Sequence, residues 1–290
     1  MTQPKDLTGK TFLVTGANSG IGYVASLAFA RRGAQVILLC RNPERGQAAV
    51  ESIRQESGND AIRLYLADFS SLVSVSAAAK QILVEHPSID VLCNNAGGSN
   101  GKRIITDEGF ETTLVTNHLS GFLLTQVLLP SLMAAGEQGQ SRVVFTSSYG
   151  HTHSPIDFDD LNLGKKYSTL RAYGRSKLMN LLTAKELFRR YGEHGIVSSS
   201  FHPGAVRTPI WRKGGSMAGA LGIILYPFMI SIEKGADTFI WLASSNDEAS
   251  VNANGNYFYK CRKTKTARFA TDDVAVRLWN ESAALVAPYI

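Results

Sequence analysis

A tyrosine and a lysine four residues apart could carry out proton transfer in the second half of this chain. Tyr173 and Lys177 lie in the stretch Leu170–Tyr191, where leucines recur at helical spacing, so their side chains share one helix face. A free phenol has a pKa of about 10 and seldom exchanges a proton usefully near neutrality. Because an adjacent ammonium stabilises the phenolate, the spacing predicts that Lys177 lowers the pKa of Tyr173 for acid–base catalysis. Taken alone, such a pair is more often a surface feature.

The segment Thr15–Gly22 reads TGANSGIG and stands where the first apolar run gives way to an amphipathic stretch. Backbone without Cβ atoms can approach a phosphate closely, and the free amides and dipole at a helix start favour negative charge. A tight turn without a ligand is the plainer interpretation. The strand before the segment and the helix after it favour a dinucleotide site instead.

The end of the second apolar run indicates which nicotinamide dinucleotide would bind. NAD sites usually carry an acidic residue about twenty residues beyond the glycines, where it bonds the ribose hydroxyls. Here residues 39–42 read LCRN, and no carboxylate occurs before Glu44. The guanidinium of Arg41 would suit a 2′-phosphate, so the position predicts NADP(H). Arg45 could do the same, and a solvent-facing charge at a strand end is the other alternative.

Short apolar runs alternate with longer amphipathic stretches, which are the elements that must position these side chains. We predict strands at Thr11–Thr15, Val36–Cys40, Ile62–Ala67, Ile89–Cys93, Val143–Thr146, Ile196–Phe201 and Tyr257–Tyr259. We predict helices at Ile21–Arg32, Pro43–Glu56, Leu72–Glu85, Glu111–Ala135, Leu170–Tyr191, Lys234–Ala243 and Asp273–Leu285. The expected fold is α/β: a single-domain, Rossmann-like, doubly wound parallel sheet of about seven strands flanked by helices, over residues 1–290.

Two inserts interrupt this alternation, and both follow strand ends. Residues 150–169 are polar, whereas residues 211–232 are strongly apolar. Ligands of open parallel sheets bind outside the carboxyl ends of the strands, so both inserts are expected near the substrate site. We interpret the apolar part, residues 217–232, as a lid over an apolar carbonyl compound; a peripheral membrane contact and an oligomer contact are the alternatives.

Further motifs, in a fixed order, make almost the whole chain resemble the short-chain dehydrogenase/reductase family. They are the glycine segment, Asn94-Asn95-Ala96-Gly97, Asn117 in the long helix, Ser147-Ser148, Tyr173-x-x-x-Lys177, and Pro203-Gly204 with Thr208. The resemblance implies an oxidoreductase that moves hydride between nicotinamide and a carbonyl or alcohol carbon.

The resemblance also implies roles for individual residues. Tyr173 would be the general acid in reduction and the base in oxidation, and Lys177 would also hold the nicotinamide ribose. Ser148 would bind the substrate oxygen, with Ser147 the competing choice, and Asn117 would anchor a water-linked proton path behind Lys177. Asp68 would contact the adenine. The implied NADP(H) site comprises Gly16, Asn18, Ser19, Gly20, Ile21, Gly22, Arg41, Asp68, Asn95, Ala96, Gly97, Tyr173, Lys177, Pro203, Gly204, Val206 and Thr208.

The subgroup that this chain most resembles is the retinol dehydrogenase-like one. The polar insert before Tyr173 is similar to theirs, as are Thr116-Asn117-His118-Leu119, Asp157-Phe158-Asp159-Asp160-Leu161, His202-Pro203-Gly204 and the late Gly255-Asn256-Tyr257-Phe258 with Leu278-Trp279. The expected substrate is an apolar aldehyde, ketone or alcohol, of retinoid, steroid or polyketide type. The alternative is a non-catalytic NADPH-binding regulator, which would have no chemical use for the full tyrosine, lysine, serine and asparagine set.

Charge and composition exclude several other classes. The formal net charge is +6, and basic residues are densest at residues 260–268. No nucleic-acid motif or stacking platform accompanies this stretch, so we expect a solvated surface. Three scattered cysteines predict no disulfide framework, and the histidines lack metal-binding spacing. No integral membrane span or export signal is predicted, a cytoplasmic location is expected, and a homo-oligomer is possible.

Overall fold

Eight strands make one sheet within residues 6–207 and 229–290, the part of the chain that this computed structural model describes. The strands are β1 Thr11–Thr15, β2 Gln35–Cys40, β3 Ile62–Leu66, β4 Val91–Asn94, β5 Ser141–Thr146, β6 Ile196–His202, β7 Tyr257–Tyr259 and β8 Arg262–Lys263. Their order is β3-β2-β1-β4-β5-β6-β7-β8, and each pair from β3 to β7 is parallel. The predicted doubly wound parallel sheet is confirmed.

The eighth strand was not predicted from the sequence. β8 pairs antiparallel with β7 across a turn in which Lys260 and Cys261 have φ values of 50° and 57°. Two consecutive residues with positive φ fit the tight hairpin that the strand twist favours, although Asn-Gly or Asp-Gly usually supplies it. The basic stretch therefore contains a short edge strand, whose Arg262 and Lys263 are exposed.

Helices cover both faces of the sheet. They are α1 Gly20–Ala30, α2 Pro43–Ser57, α3 Leu72–Glu85, α4 Thr112–Glu137, α5 Thr169–Tyr191, α6 Ile232–Ser244, α7 Glu248–Val251 and α8 Asp272–Val286. One buried cluster joins α1, α2 and α6 to the sheet, and the other joins α3, α4, α5 and α8 to it. Alternate residues of a strand serve the two clusters: Leu13 belongs to one and Val14 to the other.

Helix α4 is the one helix among the described residues that is long and apolar enough to cross a membrane. However, 78% of its apolar window is buried inside the fold, where the helix packs between α3 and α5. Its apolar composition is therefore accounted for by the core of the protein. The interpretation of residues 1–290 as one domain stays a prediction.

Candidate active site

The predicted site residues follow the carboxyl ends of six neighbouring strands. β1 lies between β2 and β4, so the chain winds away from this point in both directions, and the crevice outside such a point is where open α/β sheets bind ligands. The residues brought to this edge are Gly16–Gly22 after β1, Arg41 after β2, Asp68 after β3, Asn95–Gly97 after β4, Ser148 after β5 and Pro203–Val206 after β6.

The glycine segment forms a turn that a larger residue would fill. Gly16 and Gly20 have φ values of 65° and 60°, and a Cβ at Gly22 would lie 2.6 Å from the Gly16 carbonyl oxygen. Ser19 precedes α1 without a side-chain capping bond, and the first turn of α1 holds no acidic residue. The turn therefore brings bare backbone and a positive helix end together, which fits the pyrophosphate of a dinucleotide.

Asn95 joins the glycine turn to the neighbouring strands. Its Nδ2 donates to the Thr15 carbonyl at 2.9 Å, and its Oδ1 accepts from Thr146 Oγ1 at 3.3 Å. Thr15 Oγ1 in turn accepts from the amides of Asn95 and Ala96. This network holds the ends of β1, β4 and β5 in register beside the crevice.

Arg41 and Asp68 lie together at the outer side of the crevice. The Arg41 side chain is 68% exposed, and its Nη1 is 4.0 Å from Asp68 Oδ1. Asp68 also accepts from the amide and hydroxyl of Ser70. Ser71 caps α3 by accepting from the Ser74 amide, so Asp68 is not the cap of that helix. Arg41 is thus free to turn its guanidinium toward a ligand phosphate at the end of β2.

The segment after β6 turns back toward α1. Gly204 has a φ of 92°, and its amide donates to His202 Nδ1 at 3.3 Å. Val206 is buried and pairs with Ile230 in a parallel bridge. Thr208 and the predicted lid residues 217–228 lie outside the described residues, as does most of the insert 211–232.

Tyr173 and Ser148 are brought together from α5 and the end of β5. Tyr173 is half-buried, and burial raises the pKa of its phenol above the ordinary value, while a hydrogen bond with the Ser148 side chain lowers it. The predicted lowering of this pKa by Lys177 is therefore wrong for this structure. The Lys177 ammonium lies 5.5 Å from the centre of the Tyr173 ring and donates instead to the Thr146 carbonyl at 3.1 Å.

Lys177 is a buried cation at the base of the site. Only 3% of the residue is exposed, and burial lowers the pKa of its ammonium to about 8. A Cβ at Gly97 would lie 3.2 Å from Lys177 Nζ, so the glycine leaves room beside the ammonium that a larger residue would fill. The cation can therefore meet a ligand hydroxyl next to Tyr173.

Asn117 lies in a π-helical turn, Val115–Leu119, at the start of α4. Its Oδ1 accepts from the Gly98 amide at 2.8 Å, and its Nδ2 donates to the Gly98 carbonyl and to Ser176 Oγ, both at 2.9 Å. The side chain thus ties the loop after β4 to the helix that carries Tyr173 and Lys177. Such π turns are frequent at functional sites.

The sequence did not reveal how the polar insert is held against α5. Arg175, between Tyr173 and Lys177, is only 1% exposed and donates to the backbone carbonyls of Asp160 and Leu161. A charged residue on the buried face of a helix needs such partners, and that is the signal by which it could have been found. Among the described residues, no group of histidine, cysteine and acidic side chains could hold a metal ion.

Comparison with known proteins shows which family the chain belongs to. A family model described as short chain dehydrogenase matches residues 10–218. Human retinol dehydrogenase 13 is 40% identical over 97% of this chain and 85% of its own length. A candidate daunorubicin C-13 ketoreductase of Streptomyces sp. (strain C5) is 41% identical over 97% of this chain and 93% of its own length. The chain belongs to the short-chain dehydrogenase family, a family of oxidoreductases.

Solved structures share the fold over nearly the whole chain. A crystal structure of an uncharacterized protein from Mycobacterium paratuberculosis matches with a TM-score of 0.77 and 29% identity, covering 98% of this chain and 96% of that one. The complex of Pseudomonas aeruginosa RhlG with NADP matches with a TM-score of 0.71 and 23% identity, covering 93% of this chain and all of that one. The second likeness is one of fold alone.

Proposed function

We propose that this protein is an NADPH-dependent oxidoreductase that reduces an apolar aldehyde or ketone and can run the reverse oxidation. The single observation that carries the proposal is the contact of Tyr173 with Ser148, with the buried ammonium of Lys177 5.5 Å from the centre of the Tyr173 ring. A proton donor, a second hydroxyl and a fixed positive charge then meet at one point of the dinucleotide crevice.

In reduction, Ser148 donates a hydrogen bond to the substrate oxygen, and the hydroxyl of Tyr173 gives that oxygen its proton. A bound nicotinamide supplies the hydride in reduction and accepts it in oxidation. The raised pKa of Tyr173 keeps the phenol protonated at neutral pH, which suits a proton donor. Lys177 holds a ligand hydroxyl beside Tyr173 with its buried ammonium, and Asn117 holds the loop after β4 against the same helix.

The preference for NADPH rests on Arg41. Its exposed guanidinium stands at the end of β2, where NAD sites usually place a carboxylate. Residues 40–44 read CRNPE, so the acid nearest in sequence is Glu44 in the first turn of α2. A guanidinium can bond a 2′-phosphate through two N–H groups at once. The uncharged ribose hydroxyls of NAD give it a weaker interaction, because they carry no negative charge.

An apolar substrate is supported by the two relatives, whose names refer to retinol and to a ketone at C-13 of daunorubicin. The direct test measures NADPH oxidation with a panel that includes retinal, daunorubicin, a steroid ketone, benzaldehyde and a short aliphatic aldehyde, with NADH in parallel. Turnover of the large apolar members with NADPH is the expected result. NADPH binding with no turnover of any member would favour the regulator alternative.

A further inference from the structure

His151 is a fully buried histidine whose two ring nitrogens both have backbone partners. It lies three residues after Ser148, in the 3-10 turn Tyr149–His153. Its Nδ1 is 2.7 Å from the Ser148 carbonyl oxygen, and its Nε2 is 3.2 Å from the Ala267 amide nitrogen. A carbonyl only accepts and an amide only donates, so Nδ1 carries the proton and Nε2 accepts. The two contacts require the neutral ring in this one tautomer.

The ring of His151 also contacts a neighbouring aromatic ring. It meets the ring of Tyr257 edge-on, with 4.8 Å between centres. Burial raises the pKa of Tyr257 on β7, and the charge of the neighbouring Tyr173 phenolate raises it further, so the two phenols are close together. His151 thus fills the space between the serine, the tyrosine and the segment after β8.

The turn that holds Ser148 is closed by His151. The Ser148 carbonyl accepts from both the amide and the imidazole of His151, at 3.1 and 2.7 Å. Ser148 Oγ accepts from the Gly150 amide at 3.2 Å within the same turn, which leaves its own hydrogen for the substrate oxygen. Loss of the imidazole bond would leave the Ser148 carbonyl with only the bond from the His151 amide, so the Ser148 peptide and its hydroxyl would be less tightly fixed.

We propose that His151 is a positioning residue: it fixes the direction of the Ser148 hydroxyl and links it, through Ala267, to the C-terminal part of the chain. The inference rests on the proposed function, because it assumes that Ser148 binds the reacting oxygen. His151 itself touches neither substrate nor cofactor, since its two ring nitrogens are occupied and it is fully buried.

Two substitutions separate the two hydrogen bonds. In H151N the amide nitrogen can take the place of Nδ1 and still donate to Ser148, while the bond from Ala267 is lost. In H151Q the longer side chain can place its oxygen near Nε2 and accept from Ala267, while the bond to Ser148 is lost. Both variants lose one buried hydrogen bond, so each serves as the stability control for the other.

The expected result is a split in kcat that thermal stability does not follow. With the panel compound that the wild-type protein reduces fastest, H151Q should lose about 10- to 100-fold in kcat, whereas H151N should stay within about threefold. The KM for NADPH should be unchanged in both, and their melting temperatures should be similarly lowered. Equal kcat values for H151N and H151Q would overturn the proposal.

A double-mutant cycle with Ser148 adds a readout that a merely structural histidine would not move. In an S148A background, H151Q should lower kcat no further, because the group it positions is gone. Additive losses would contradict the inference. If H151Q does not fold, H151L, which fills the ring's space without either hydrogen bond, takes its place and should lose kcat to the same extent.

Y173F is measured beside these variants so that two failures can be told apart. If Y173F keeps its turnover, the proposed function fails whatever the histidine variants do. If Y173F is inactive and both H151Q and H151L keep the wild-type kcat, the role of His151 fails and the proposed function stands.

Discussion

Ser147 and Ser148 are neighbours in the chain, but their hydroxyls have different partners. Ser147 is fully buried, and its Oγ donates to the Lys177 carbonyl at 2.7 Å, whereas Ser148 Oγ reaches Tyr173. We therefore expect S148A to lose about 100-fold in kcat, the usual loss when one donor to a reacting oxygen is removed. S147A should keep kcat within a few-fold and lose about 1 kcal/mol of unfolding free energy.

Steady-state kinetics and urea unfolding of the two serine variants provide the check. Each variant removes one hydroxyl and is the matched control for the other. A large loss of kcat in S147A together with a near-normal S148A would reverse the assignment of the two serines.

The choice of cofactor can be tested with two arginines. R41A should lower kcat/KM for NADPH by about 10- to 100-fold, since one or two charge-assisted hydrogen bonds to the phosphate are lost. The value for NADH should not fall. R45A is the control, because Arg45 is an exposed arginine in the first turn of α2, four residues further on. A loss of NADPH preference in R45A alone would move the phosphate site to that residue.

The pH dependence of reduction should report on Lys177. Burial lowers the pKa of this ammonium to about 8. The side chain is therefore protonated below pH 7 and loses its charge as the pH rises through about 8. The pKa of Tyr173 is raised, so the phenol stays protonated across this range. We expect kcat/KM to be level from pH 6 to 7 and to fall about tenfold per pH unit above 8.

The K177M variant tests whether Lys177 is the group whose titration causes the fall in kcat/KM above pH 8. It should be slower than the wild type by about 100-fold or more, and its rate should no longer fall near pH 8. If kcat/KM of K177M fell at the same pH and with the same slope as in the wild type, another group would be the one that titrates.

Acid should destabilise the protein well before its carboxylates are protonated. His118 is buried against Ser282, and burial lowers its pKa to about 3, whereas the unfolded value is about 6.5. Between these two pKa values the unfolded chain binds one more proton than the folded chain. The free energy of unfolding therefore has its full value above pH 6.5 and decreases as the pH is lowered. The cost is about 2 kcal/mol at pH 5, and His202, whose pKa burial lowers to about 4, adds to it in the same direction.

Urea unfolding at pH 7.5 and pH 5 measures this loss. H118Q should show a smaller difference between the two pH values than the wild type. H194Q is the control, since the His194 side chain is 40% exposed. Equal unfolding free energies of the wild type at the two pH values would contradict the account.

The alternation of apolar runs was enough to predict strands β1 to β7 and the long helices, because period and length distinguish buried strands from amphipathic helices. It could not predict β8, since the turn at Lys260 and Cys261 uses residues with no preference for positive φ. A long helix was expected at Glu111–Ala135 and lies at Thr112–Glu137, but its π turn at Asn117 was not expected, because one extra residue in a helical turn leaves no compositional mark.

The order of the motifs along the chain and their positions after strand ends were enough to predict which residues form the site. The pKa values of these residues could not be predicted in that way. Spacing puts Tyr173 and Lys177 on one helix face, yet it does not say where the ammonium points. In the structure Lys177 Nζ bonds the Thr146 carbonyl, and burial dominates the pKa of Tyr173. Such effects depend on contacts between distant parts of the chain, as does the link from His151 to Ala267.

The central claim is that Tyr173 delivers the proton to a carbonyl oxygen. The most direct measurement compares NADPH binding and NADPH turnover in the wild type and in Y173F, which removes only the phenolic oxygen. The account predicts that Y173F binds NADPH with a Kd within about threefold of the wild type and loses at least about 100-fold in kcat with the best panel substrate. Turnover by Y173F at the wild-type rate would contradict it.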